Sequence, residues 1–279
     1  MDIQLAATSA AITAAADRHF QEASLSGHHQ EYTDRVCRRG RFLVGIAGRP
    51  GSGKTTVARA LCVLINRHYR ASEPAAEDAD VAVVVGLDGW SARPAHSLST
   101  AVLTPDSSGP SVASSRAVLD RFDDPAEAHR RRGAAWTFDA AGYRAFVERL
   151  LREEGELAAP TFSHTTKDPV AGGLSVLPRH KIVLLEGLYT LLEHGAHWAA
   201  AARLVHLPIL VAVGPETAQL RLVRRHLRAG IVADPRQAIH RVAANDLPNG
   251  EYLLANSRQP ALLITSIDDP ALAAPDEAP

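Results

Sequence analysis

The segment from residue 42 to residue 56 constrains the fold more than any other, because it joins an apolar run to a glycine-rich loop. It reads FLVGIAGRPGSGKTT and contains the spacing G-x-x-x-x-G-K-T. The apolar run suits a buried parallel strand, and residues 56–61 suit the start of a helix. Gly48, Gly51 and Gly53 allow positive φ angles and let backbone N–H groups approach an anion. The segment therefore predicts a strand, a phosphate-binding loop and a helix in succession.

Polar residues inside the loop have distinct expected roles in holding a nucleotide. The Lys54 ammonium supplies a positive charge for the β- and γ-phosphates, and the Thr55 hydroxyl supplies a ligand for Mg²⁺. The helix that begins here points the positive end of its dipole at the phosphates. We therefore predict that a nucleotide is bound by the following residues: Gly48, Gly51, Ser52, Gly53, Lys54, Thr55 and Thr56. A glycine-rich turn that binds nothing is the alternative, which the filled motif positions disfavour.

Composition narrows the remaining possibilities. A chain of 279 residues with 46% hydrophobic residues is sufficient for one large α/β domain with insertions. Its formal net charge of −1 lacks the basic surplus expected for nucleic-acid binding. No apolar run reaches the roughly 18 residues of a membrane span, and the N-terminal sequence resembles neither a secretory signal nor a transit peptide. Because Cys37 and Cys62 also fit a reducing compartment, we expect a cytoplasmic protein with a small-molecule partner.

The pattern along the chain predicts three parts. Residues 1–38 are expected to form an N-terminal helical extension that packs on the domain, residues 39–268 the nucleotide-binding domain, and residues 269–279 a disordered tail. Within the domain, the density of Ser, Pro and Gly marks residues 91–115 as an insertion loop. Residues 215–245 form a helical region that contains a candidate lid.

Apolar runs alternate with helical patterns along the domain. The runs lie at residues 42–47, 81–87, 181–187, 204–213 and 261–265, with helical patterns at 116–132 and 136–151 among those between them. This alternation predicts a P-loop NTPase fold, with three α/β/α layers and a mostly parallel five-stranded sheet. A short strand at residues 157–162 is expected to lead into a polar loop.

Two carboxylates follow apolar runs at places where packing gives no reason for a charge. Asp88 comes directly after residues 81–87, and Glu186 lies near the end of residues 181–187. Ligands of such sheets gather at the carboxyl ends of the strands. Asp88 is suited to accept a proton from a substrate hydroxyl or to contribute to a Mg²⁺ site, and helix capping is its alternative role. Glu186 is suited to hold Mg²⁺ directly or through water, and a solvated strand end is the alternative.

Arginines recur every three or four residues in a later helical segment, at Arg221, Arg224, Arg225 and Arg228. Such a face is often simply solvated. Opposite a phosphate loop it can instead form a lid whose arginines stabilise the charge of a transferring phosphoryl group. Arg221 and Arg225 are the pair we favour for that role.

Weaker candidates lie in polar segments. His164 and Lys167 follow the short strand at residues 157–162. Asn245 and Asn249 are most simply turn residues, and contact with a nucleotide base is their alternative role.

The ordered set of these segments resembles the phosphoribulokinase/uridine kinase family of P-loop kinases. The chain is most similar to the nucleoside/nucleotide kinase-like branch, which also includes a bacterial fructokinase, and pantothenate kinases are more distant. The resemblance covers about residues 40–265. The matching segments are GRPGSGKTT, GLDGW, RRGAAWTFDAAGY, APTFSHTTKDPV, IVLLEGLYTLL, RLVRRHLRAGIV and NDLPNG.

The resemblance implies an ATP-dependent transfer of the γ-phosphate to a hydroxyl of a small metabolite, with ATP and Mg²⁺ as cofactors. It implies that Asp88 is the catalytic base, assisted by Lys54, Arg221 and Arg225. The implied metal ligands are Thr55, Asp88 and Glu186, and Asn245 and Asn249 would lie near the adenine. The implied acceptor pocket contains the following residues: Asp88, Trp90, Phe138, Asp139, Phe162, His164, Lys167 and Glu186. Relatives are often dimers, so a homodimer is a further expectation.

Two departures from the family pattern concern the acceptor. An Asp commonly stands where this chain has Ser163, and residues 97–115 look like an insertion. A nucleoside or a sugar is the expected acceptor. A pantothenate- or glycerate-type metabolite and a regulatory ATPase without an acceptor are the alternatives.

Overall fold

The computed structural model describes residues 2–25, 40–72, 80–91, 122–163 and 168–268. The predicted tail and nearly all of the predicted insertion loop lie outside the described residues. The site candidates His164 and Lys167 also lie outside them.

The described strands build one large parallel sheet and one separate hairpin. In chain order the strands are β1 (Phe42–Ala47), β2 (Ala82–Gly86), β3 (Leu157–Ser163), β4 (Asp168–Val176), β5 (Ile182–Glu186), β6 (Leu207–Ala212) and β7 (Leu262–Thr265). The sheet has five parallel strands in the order β2-β5-β1-β6-β7. This arrangement confirms the predicted parallel sheet and puts β1 at its centre, where all six residues are buried.

Helices cover both faces of the sheet. In chain order they are α1 (Asp2–Leu25), α2 (Lys54–Ser72), α3 (Pro125–Arg130), α4 (Ala140–Arg152), α5 (Ala196–Arg203), α6 (Pro215–Arg228), α7 (Pro235–Arg241) and α8 (Leu247–Asn256). Short 3₁₀ turns span Leu87–Trp90 and Ala135–Thr137, and a π-helical turn, Val242–Asp246, joins α7 to α8. Each face of the sheet has its own hydrophobic core, so the three-layer prediction is confirmed. Within the described residues, no helix combines the length and apolar character needed to cross a bilayer.

The N-terminal helix belongs to the core of the domain. Leu5, Ile12 and Ala16 of α1 are buried in the same cluster as residues of β1 and α2. The Gln4 side chain also accepts a hydrogen bond from the backbone N–H of Thr265, at the end of β7, at 3.0 Å. The helix therefore completes one layer of the domain.

Buried polar side chains close the amino end of the sheet. The Arg41 guanidinium, 4% exposed, donates to the backbone carbonyls of residues 150, 153, 155 and 180. His206 accepts a hydrogen bond from the N–H of Leu43 at 2.9 Å and stacks on Phe42 at 5.2 Å between ring centroids. Burial and, to a smaller extent, the charge of His19 lower the pKa of His206 to about 4. Arg41 is therefore a hydrogen-bonded structural residue, and His206 is a neutral one.

Three elements differ from the sequence-based expectation. The helix expected at residues 116–132 is confined, among the described residues, to α3, whose N-cap Asp124 accepts from the N–H of Glu127. The strand β4, which pairs antiparallel with β3, was not predicted. Asn245 and Asn249 lie in the continuous helical stretch from α7 to α8, so their interpretation as turn residues was wrong.

Candidate active site

The glycine-rich loop closes tightly between β1 and α2. Ser52 donates its N–H to the carbonyl of Arg49 at 3.1 Å, and Val57 donates to Gly53 at 3.0 Å. Gly51 and Gly53 have φ angles of +80° and +77°. A Cβ atom at Gly51 would also lie 2.8 Å from the backbone carbonyl of Ala218 in α6. The loop conformation and the close approach of α6 therefore require glycine at position 51.

Two acidic residues lie beside this loop because the strands that carry them end in register. Gly86 of β2 pairs with Glu186 of β5. Asp88 follows in the 3₁₀ turn Leu87–Trp90, which we call the Asp88 turn. Asp88 is exposed, whereas Glu186 is 7% exposed and accepts a hydrogen bond from Thr55. The predicted donor residues and both carboxylates are thus neighbours in space.

The ionisation of Glu186 reflects these neighbours. Burial raises the pKa of Glu186, and the charge of Asp88 raises it further. The charges of Lys54 and Arg59 and the hydrogen bond from Thr55 act in the opposite direction. Glu186 is therefore a buried carboxylate whose charge the protein compensates only in part.

This donor set fits a hard divalent cation. Mg²⁺ prefers oxygen ligands and commonly uses one or two carboxylates together with substrate phosphates and water. Glu186, Asp88 and the Thr55 hydroxyl supply such oxygens, and a cation would offset the cost of burying Glu186. The part of the chain that the structure describes has no group of three or more His, Cys, Asp or Glu arranged for a metal. A magnesium ion here would consequently depend on phosphate and water for its other ligands.

Three predicted acceptor residues lie mostly behind the surface of the site. Trp90 and Phe138 are 4% and 7% exposed and pack in an aromatic cluster with Tyr143 and Trp198. Asp139 is 4% exposed, and its carboxylate accepts from the N–H of Gly142 at 2.8 Å as the N-cap of α4. These side chains support the wall of the site, and a direct contact with the acceptor stays a prediction.

The β3–β4 hairpin packs against the Asp88 turn. A Cβ atom at Gly89 would lie 2.1 Å from the backbone carbonyl of Pro160 in β3, so a side chain has no room there. Phe162, two residues further along β3, is half-buried. The Arg132 guanidinium carbon lies 5.4 Å from the centroid of its ring. Asp88 is thus next to a hairpin that carries a predicted acceptor residue.

The two favoured lid arginines occupy different environments. Arg221 donates to the backbone carbonyl of Gly51 at 3.0 Å and to the Ser266 hydroxyl at 2.8 Å. It also pairs with Asp268 at 2.8 Å. Arg225, one turn later in α6, is exposed. Arg221 therefore braces the phosphate loop from the side of α6 and β7, and catalytic roles for both arginines stay predictions.

The two asparagines proposed for the adenine side are bonded to protein groups. Both are 4% exposed. Asn245 donates to the carbonyl of Arg132 at 2.9 Å, and Asn249 accepts from Arg131 at 3.3 Å. Their contact with a base stays a prediction, whereas their structural role in holding residues 131–133 is evident.

Sequence reasoning missed several residues near the site. Arg59 lies four residues after Thr55 in α2, and this helical spacing could have indicated it. Arg132 lies near the site because it contacts Phe162 of the β3–β4 hairpin, and the sequence alone does not predict that contact. His226 and Asp246 form a buried pair at 2.7 Å that joins α6 to the π-helical turn, and no local signal indicates that contact.

Comparison with known proteins adds independent findings. No family model matches the chain. A putative uridine kinase of Schizosaccharomyces pombe is 31% identical over 229 residues, which covers 81% of this chain and 84% of that protein. An ATP-dependent kinase-like protein of Aspergillus versicolor, notR', is 40% identical over 145 residues, 50% of this chain and 84% of that protein.

A solved structure agrees with the fold. YFH7 from Saccharomyces cerevisiae, described as a putative P-loop containing kinase with a circular permutation, superposes with a TM-score of 0.66 at 19% identity, covering 92% of this chain and 99% of that one. At this identity the similarity bears on the fold alone. The extent of the Schizosaccharomyces pombe match shows that this chain belongs to the phosphoribulokinase/uridine kinase family of P-loop kinases.

Proposed function

We propose that this protein transfers the γ-phosphate of ATP to a hydroxyl group of a small metabolite. One observation carries the proposal: Lys54, Thr55, Asp88 and Glu186 converge where β1, β2 and β5 end. A phosphate loop beside an exposed carboxylate meets the two requirements of phosphoryl transfer, which are charge neutralisation and a proton acceptor. The name of the Aspergillus versicolor relative supports ATP as the donor.

The two carboxylates suit different roles because their environments differ. Glu186 is buried and hydrogen-bonded to Thr55, which suits a residue that holds Mg²⁺ together with that threonine. Bound there, Mg²⁺ would supply charge neutralisation to the phosphates. Asp88 is exposed beside the β3–β4 hairpin and is suited to accept the proton of the acceptor hydroxyl.

Strand order gives the expected direction of the bound nucleotide. The phosphate loop follows the central strand β1, and Asp88 follows β2 at one side of the sheet. The γ-phosphate is expected to face β2, so the base of ATP is expected towards β6 and β7. Ser266, Asp268 and Arg221 meet on that side.

The decisive experiment measures ADP release with a panel of sugars, nucleosides, and pantothenate- and glycerate-type metabolites. We expect one acceptor class to stimulate turnover, with mass spectrometry detecting its phosphorylated product. Lys54→Ala should abolish the stimulated rate while far-UV circular dichroism stays unchanged, since Lys54 contacts phosphate. Wild-type turnover by this variant would contradict the role given to the phosphate loop.

A regulatory ATPase is the competing function and makes a different prediction. Its ATP hydrolysis would be insensitive to every acceptor and largely insensitive to Asp88→Asn. Such a result would remove the kinase proposal while leaving nucleotide binding intact.

A further inference from the structure

The backbone from Arg131 to Gly133 is fixed by side chains from separate elements. Asn245, in the π-helical turn, donates to the carbonyl of Arg132 at 2.9 Å. Tyr189, which follows β5, donates its hydroxyl to the carbonyl of Gly133 at 2.9 Å. Arg131 bonds to α8 through its guanidinium. These bonds therefore fix the backbone position from which the Arg132 side chain extends, without any substrate.

From this fixed backbone, Arg132 extends to the hairpin beside the Asp88 turn. Its guanidinium carbon lies 5.4 Å from the centroid of the Phe162 ring, a cation–π contact. Phe162 is two residues, or roughly 7 Å of strand, from the point where Pro160 touches Gly89. The Arg132 guanidinium and the Asp88 turn consequently both lie beside the β3–β4 hairpin.

We propose that Arg132 binds an anionic group of the acceptor, either a carboxylate or a phosphate. This inference rests on the proposed kinase function and narrows its acceptor to a hydroxy acid or a phosphorylated hydroxy compound. Asp88 takes the hydroxyl at one end of the acceptor, and Arg132 pairs with the anion at the other. An arginine fork matches two oxygens of a carboxylate or phosphate, and charge-assisted hydrogen bonds are about twice as strong as neutral ones.

Matched acceptor pairs test this inference on the unmodified protein. The pairs are glycerate with glycerol, pantothenate with pantothenol, and fructose 6-phosphate with fructose. We expect kcat/KM for ADP release to favour an anionic member over its neutral partner by at least about 10-fold. Comparison of the carboxylate pairs with the phosphate pair identifies which anion is bound.

Substitutions then attribute the preference to one side chain. Arg132→Gln should lower kcat/KM for the anionic acceptor by about 10- to 100-fold, mainly through its KM. The KM for ATP and the rate with the neutral partner should not change, and Arg132→Lys should restore part of the loss. Arg130→Gln is the matched control, because Arg130 lies two residues before Arg132 in the sequence and is an exposed arginine paired with Glu127. It should leave every constant unchanged.

The possible outcomes separate this inference from the proposed function. Preference for a neutral acceptor, or an equal loss for both members of a pair in Arg132→Gln, would make Arg132 a packing residue and overturn the inference while the kinase stands. Absence of stimulation by every acceptor would overturn the kinase and the inference together. Since the matched pairs use the unmodified protein, poor folding of a variant does not remove the test.

Discussion

The two ends of the parallel sheet bury polar groups in opposite ways. At the amino end, Arg41 is bonded to four backbone carbonyls, and His206 is a neutral acceptor for the N–H of Leu43. At the carboxyl end, Glu186 is buried next to the like charge of Asp88. Burial lowers the pKa of His206 and raises that of Glu186, so burial by itself does not distinguish the ends.

The two ends differ in whether protein atoms compensate the buried polar and charged groups. At the amino end, backbone atoms satisfy Arg41 and His206, which is how buried polar groups are normally tolerated. The carboxyl end leaves a carboxylate partly compensated and so favours a ligand that brings positive charge.

The largest effect is expected for Asp88, and Asp80 at the other end of β2 provides its control. Asp88→Asn should lower kcat by ~10²–10⁴ with little change in KM, as loss of a general base does. Asp80→Asn, at the amino end of the same strand, removes an ion pair with Arg70 and should leave steady-state kinetics unchanged. An effect of Asp88→Asn on KM alone would make Asp88 a binding residue.

Two arginines that bond backbone carbonyls provide the next comparison. Arg41→Ala should destabilise the fold by about 3 kcal/mol, because it leaves buried carbonyls unsatisfied, without changing the Kd for ATP. Arg221→Ala should raise the Kd for ATP about tenfold, since Gly51 loses its brace, with kcat largely retained. Thermal unfolding and binding of a fluorescent ATP analogue measure the two quantities.

Arg225→Ala is the internal control for Arg221. It lies one turn further along α6, and a lid residue should affect kcat rather than nucleotide affinity. Identical kinetic changes in both variants would refute the distinction between a loop brace and a lid residue.

Replacing Glu186 should raise the stability of the protein and lower its activity. Its pKa is raised in the folded protein, so its contribution to stability is present at acidic pH and is lost as pH rises through the folded pKa. At neutral pH, Glu186→Gln should therefore stabilise the protein by about 1 kcal/mol while lowering turnover. In contrast, a hydrogen bond from Arg149 lowers the pKa of Glu153, so Glu153→Gln should give no such gain in Tm.

The smallest effect at neutral pH concerns His206. Its pKa falls from 6.5 to about 4 on folding, so the unfolded chain takes up a proton between these values and the folded protein does not. Stability should fall as pH falls through this range, with His206 contributing at most about 1.4 kcal/mol per pH unit. His206→Asn, which keeps an acceptor for Leu43, should flatten the slope of unfolding free energy against pH.

The parallel sheet and the donor half of the site could be predicted because their signals are local. Apolar runs identify β1, β2 and β5, and Asp88 and Glu186 stand at or just beyond the strand ends. The strand β4 could not be predicted, since Gly172 and Gly173 weaken strand propensity and its pairing with β3 compensates only in the folded chain.

Contacts set by tertiary structure account for the other differences. Asn245 has turn-forming chemistry, but bonds to residues distant in sequence retain it in a helix. The contact of Arg221 with Gly51 depends on the strand order, which brings the end of β7 next to the phosphate loop. Residue spacing in the sequence predicts neither the helical conformation of Asn245 nor the contact of Arg221 with Gly51.

The bond between Gln4 and Thr265 has a consequence for any shortened form of this protein. β7 is the outermost strand on its side of the described sheet, and Leu263 is 61% exposed. Such a strand offers unpaired backbone groups to other molecules unless something covers it. Deleting residues 2–25 would remove that cover and expose the core packed beneath α1. We therefore expect the shortened chain to associate through the sheet edge formed by β7.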